Sequence, residues 1–105
     1  MIAILLEFRV KPGAEAEFLA SWQETTEIIY RNFGSLGSKL HRAEDGAFIA
    51  YAQWPDEATY EAAQTWSEED QAVRAKMHAT LLDGYPKRLH QLSLVSDRTR
   101  AQAKK

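Results

Sequence analysis

Apolar residues in this 105-residue chain recur at every second position, then at helical spacing, then at every second position through two successive stretches, then at helical spacing, and finally at every second position. The first stretch puts Ile2, Ile4, Leu6, Phe8 and Val10 on one strand face, with Ala3, Leu5, Glu7 and Arg9 on the other, and Lys11-Pro12-Gly13 ends it. Positions 14–33 read as a helix on the stripe Phe18, Trp22, Ile29 and Phe33, with Leu19 and Tyr30 flanking it. Trp22 and Tyr30 read as core. Glu15 and Glu17 suit the first turn, and Gly34 suits the stop. Strands at 35–43 and 47–54 flank Glu44-Asp45-Gly46, and Pro55 closes the second. Asp56 and Ser67 are N-cap residues of a helical segment broken near Trp66; Tyr60 and Ala63 lie on its first part, Val73, Met77 and Leu81 on its second. Leu89 to Val95 is the last strand. The order βαββαβ predicts an α+β, ferredoxin-like fold: a four-stranded antiparallel sheet with both helices on one face. One domain spans 1–96, and 97–105 is a basic, solvated tail.

In such a fold one sheet face is left bare, so its composition bears on function. Residues opposed across an antiparallel pair point the same way. A two-residue or a four-residue turn in the hairpin gives one grouping. Leu36, Ser38, Leu40, Ile49, Tyr51 and Gln53 then share the helix side. Gly37, Lys39, His41, Phe48, Ala50, Ala52 and Trp54 share the bare side with Ala3, Leu5, Glu7 and Arg9. Large aromatics, small residues and a few charges together describe a cavity wall. Phe48, Trp54 and Leu5 would not stay exposed on a monomer, so a homodimer packed sheet to sheet is expected.

The net charge of −2 gives no general attraction to nucleic acid or anionic membrane. With no cysteine, disulfides and thiolate metal sites are excluded. The start MIAILLEFRV is too short and too soon charged for a membrane span or signal peptide, so a cytoplasmic protein is expected. Gly34-Ser-Leu-Gly37-Ser-Lys39 lacks the spacing of a phosphate loop and runs into a strand. His41, His78 and His90 have no metal-ligand spacing, and no metal or other cofactor is expected.

The segments VKPGAEAEFLASWQETTEII and GSLGSKLHRAEDGAFIAYAQWPDEATYEAA resemble the antibiotic biosynthesis monooxygenase superfamily over roughly residues 1–95. The resemblance implies a ferredoxin-like dimer, sometimes described as an α+β barrel. It implies one of several activities: cofactor-independent oxygenation of aromatic polyketides, quinol oxygenation, haem degradation, or none known. For the haem-degrading branch it implies an Asn on the first strand and a Trp and a His on the second helical segment. Here the first falls near Glu7, the others near Ala63 and Val73, and Trp66 and His78 are out of register by several residues.

The expected reaction is cofactor-independent oxygenation of a small phenol, anthrone or quinol, in which the deprotonated substrate itself supplies the electrons. His41 or Glu7 would be the base, with Arg9 or Lys39 stabilising the anion. Trp54 and Phe48 would hold the ring, and Trp66 and His78 would border the mouth. The alternative is a non-catalytic protein of the same fold that binds a small molecule or serves to dimerise.

Overall fold

In a computed structural model, which describes residues 1–63 and 65–99, the chain forms β1 (Ile2–Phe8), α1 (Glu15–Phe33), β2 (Gly37–Arg42), β3 (Phe48–Trp54), α2 (Glu57–Glu61), α3 (Glu68–His78) and β4 (Lys87–Ser93). The strands make one antiparallel sheet in the order β2-β3-β1-β4, and the helices lie on one face, as the ferredoxin-like pattern requires. Residues 100–105 of the expected basic tail lie outside the described residues.

Local chemistry sets the element ends. The Asp56 carboxylate accepts from the Thr59 backbone N–H at 2.7 Å, and Ser67 Oγ accepts from the Asp70 N–H at 3.1 Å, so both expected caps form. Gly34 ends α1 at φ +78°. At that backbone angle a side chain would be strained, and its Cβ would also sit 3.2 Å from the Thr59 methyl. Three residues, Gly34 to Leu36, connect α1 to β2, and Ser35 stabilises that path: its hydroxyl accepts from the Gly37 N–H and donates to the Gln53 carbonyl.

The core lies between sheet and helices in two adjoining clusters. One joins Phe8, Phe18, Phe48, Ala50, Met77 and Leu81; the other joins Ile2, Ile4 and Trp54, with Ile29, Phe33 and Tyr60 packed on it. Val10, expected to extend the first strand, forms an isolated bridge with Leu81 beyond α3. Tyr30 is 55% exposed, not core.

The register corrects the expected faces of β3. Phe48, Ala50, Ala52 and Trp54 lie opposite Phe8, Leu6, Ile4 and Ile2, so they face the helices. Ile49, Tyr51 and Gln53 face away, beside His41, Lys39 and Gly37 of β2. The cause is the loop. The Ala43 N–H donates to the Ala47 carbonyl at 2.7 Å and the Gly46 N–H to the Ala43 carbonyl at 3.0 Å, leaving Glu44, Asp45 and Gly46 as a three-residue connection. Gly46 sits at φ +92°, where such a loop needs a glycine. An odd loop length reverses the parity that even lengths preserve, and every side chain of β3 changes face.

Candidate functional site

The corrected register moves the cavity to the helix side. Small side chains on the sheet, Ser38, Ala50 and Ala52, lie below α1 and α3, which do not fill the space above them. The result is a cavity of about 270 Å³ with a mostly apolar lining, just below the roughly 300–1,000 Å³ typical of ligand sites. At about 30 Å³ per water molecule it has the volume of roughly nine waters, the scale of a small fused-ring aromatic.

All three tryptophans of the chain border this space: Trp22 from α1, Trp54 from the end of β3 and Trp66 from the α2–α3 connection. Trp54 is fixed by Tyr60, whose ring meets it edge-on at 5.4 Å. Trp66 packs on Phe33 at 5.3 Å, its carbonyl accepts from the Gln71 amide, and the Arg74 guanidinium lies over its ring at 4.2 Å. Arg74 and His78 enter the lining from one face of α3, a single turn apart. His78 is half-buried. Burial lowers its pKa from the ordinary 6.5, and the Arg74 charge lowers it further, which favours the neutral imidazole at pH 7. Among the described residues, no Asp or Glu lines the cavity. The hydroxyls of Thr25 and Ser35 on the wall are engaged by backbone, Thr25 donating to the Ser21 carbonyl at 2.7 Å.

The residues expected from sequence divide among four places. Trp54, Trp66 and His78 meet in the cavity. Phe48 belongs to the packed core, in ring contact with Phe18 and under the Arg42 guanidinium. Lys39 and His41 lie on the opposite sheet face, in an open trough of about 870 Å³ that Tyr51, Gln53 and the chain from Leu92 to Thr99 also border. Glu7 and Arg9 form an ion cluster at the end of β1, where one Arg9 nitrogen is 3.1 Å from both Glu7 and Asp45. That pairing raises the Arg9 pKa, through Asp45 first, and so ties β1 to the hairpin loop. His90, whose face the sequence left open, is on the trough side opposite Leu5, and Tyr85 is exposed before β4.

Sequence reasoning did not single out Arg74. Its signal was the four-residue spacing to His78 on a helix that otherwise presents only Met77 to the core. Among the described residues no group of three His, Asp or Glu side chains is arranged as metal ligands, and no helix is long and apolar enough to cross a membrane.

A profile of the antibiotic biosynthesis monooxygenase family matches residues 1–75. The chain belongs to that family. Solved structures agree on the fold. SnoaB from Streptomyces nogalater, described as a cofactor-independent oxygenase, superposes with a TM-score of 0.71 at 18% identity, covering 94% of this chain and 97% of that one. A candidate antibiotic biosynthesis monooxygenase from Bordetella bronchiseptica gives 0.74 at 22% identity, over 90% and 97% of the two chains. Rv0793 from Mycobacterium tuberculosis gives 0.71 at 14%, over 93% and 98%. No curated protein matches the chain.

Proposed function

We propose that this family member is a homodimeric, cofactor-independent monooxygenase that binds a small planar phenol, anthrone or quinol in the cavity between sheet and helices. The observation that carries this reading is the lining itself: three indole rings around an apolar space, with one neutral histidine and one guanidinium on the same side. Family membership and the likeness to SnoaB support the reaction class.

His78 takes the phenolic proton, and the ring carbon of the resulting anion becomes the electron donor to O₂. The carbon gains a hydroperoxide, which then loses water to leave a carbonyl. The balance is SH₂ + O₂ → S=O + H₂O: one oxygen enters the substrate, and the other leaves with two substrate hydrogens. The apolar walls exclude bulk water from the anion, and the ring is held flat between indoles. Glu7 and His41, the bases expected from sequence, lie away from this cavity, so the proposal gives the base to His78. A tetrapyrrole is larger than the space, which disfavours haem degradation.

The bare sheet face supplies the dimer contact. Leu5, Ile49, Tyr51 and Leu92 place apolar surface there, with Lys39, His41 and His90 among them. Light scattering after size exclusion at micromolar protein should give twice the 11.9 kDa chain mass; a monomer mass would remove this part of the proposal.

The reaction is tested by following tryptophan emission and oxygen uptake together, using anthrone and a naphthoquinol. Saturable quenching with stoichiometric oxygen consumption is expected. Quenching without uptake would identify a non-catalytic binder, and neither response would overturn the site.

A further inference from the structure

We propose that the substrate is an aromatic hydroxy acid, its carboxylate paired with Arg74 and its ring among the cavity's tryptophans. This deepens the proposed function and rests on that cavity being the substrate site. Arg9, Arg31 and Arg42 each have a carboxylate within ion-pair distance, from Glu7 and Asp45, Glu27 and Glu15 respectively. Arg74 has none among the described residues, although it is partly buried beside an apolar space. Its guanidinium carbon lies over the Trp66 ring, 4.2 Å from the centroid, a contact to the ring face that uses none of the N–H donors a planar anion would need.

Among the described residues, no acid lines the cavity to compete for those donors. A single guanidinium matches a monoanionic carboxylate in charge and geometry, whereas a phosphate dianion would call for more donors than this wall offers. Arg74 and His78 stand one helical turn apart, about 5–6 Å between Cβ atoms at that spacing. An acid with its hydroxyl on the adjacent ring carbon therefore sets the carboxylate on Arg74 and turns the hydroxyl toward His78.

The test compares an ortho-hydroxynaphthoate with its carboxamide, which keeps the shape and loses the charge, by tryptophan quenching of the full chain. The acid is expected to bind about 10- to 100-fold more tightly, the range of a charge-assisted pair. Arg74→Gln should abolish that ratio, and Lys76→Met, on the exposed face of the same helix, should preserve it. Equal affinities for acid and amide in the natural protein would overturn the inference and leave the cavity reading standing. So would an Arg74→Gln variant, natively folded by circular dichroism, that kept the full ratio. Failure of both probes to quench would overturn the cavity reading itself.

Discussion

His78→Gln should lower oxygen turnover by about 10²- to 10³-fold while changing the substrate's KM by less than about threefold, as expected for removal of a general base rather than of a binding wall. The imidazole can accept a proton at neutral pH because burial, and secondarily the Arg74 charge, depress its pKa below 6.5. In the natural protein, turnover should therefore rise with pH through a midpoint below 6.5 and level off above it. The same shift affects stability. A folded-state pKa below the unfolded value means the unfolded chain binds more protons between the two values. Stability then increases with pH across that window and is lost as pH falls below 6.5. Urea denaturation at a series of pH values should show this slope in the natural protein and a weaker one in His78→Gln. A variant with unchanged turnover and an unchanged slope would remove the assignment.

Phe18→Ala should destabilise the fold by about 3–5 kcal/mol. The ring is fully buried, with Phe8 at 5.2 Å and Phe48 at 5.0 Å, so its loss leaves a void walled by a helix on one side and two strands on the other. Against a total stability of roughly 5–15 kcal/mol for a single domain, that is a large share. At about 4–8 °C per kcal/mol for a domain of this size, the melting temperature should fall by roughly 12–40 °C. Tyr30→Ala on the same helix, exposed to 55%, should change stability by no more than about 0.5 kcal/mol. A loss below about 1 kcal/mol at Phe18 would contradict the packing described for the first core cluster.

Phe18 was legible from periodicity, and so were the element order, both helix caps, the Gly34 stop and the helix-facing side of β1. Each depends on residues close in sequence. The faces of β3 were not, because they depend on the length of one loop. With Glu44, Asp45 and Gly46 all in the connection, Phe48 and Trp54 turn inward. The strand carried its own clue: Phe48, Ala50, Ala52 and Trp54 are apolar throughout, whereas Gln53 and the Tyr51 hydroxyl mark the alternate set as the wetter one. That comparison within one strand is stronger than parity counted across a turn of unknown length.

The site was legible in pieces. Trp54, Trp66 and His78 were candidate site residues in the sequence, but their meeting in one cavity needed the path of the α2–α3 connection. Arg74 needed that path as well, since only there does Trp66 fold back under its guanidinium. Lys39 and His41 shared a face with the expected cavity only while β3 was reversed.

Nuclear magnetic resonance of the three indole N–H groups and of the His41 ring, during titration with an ortho-hydroxynaphthoate, discriminates directly between the two sides of the sheet. A ligand among Trp22, Trp54 and Trp66 should shift all three indole signals along one saturation curve and leave His41 unmoved. Shifts centred on His41, with the indole signals stationary, would place the ligand in the trough on the opposite face and contradict the site described here.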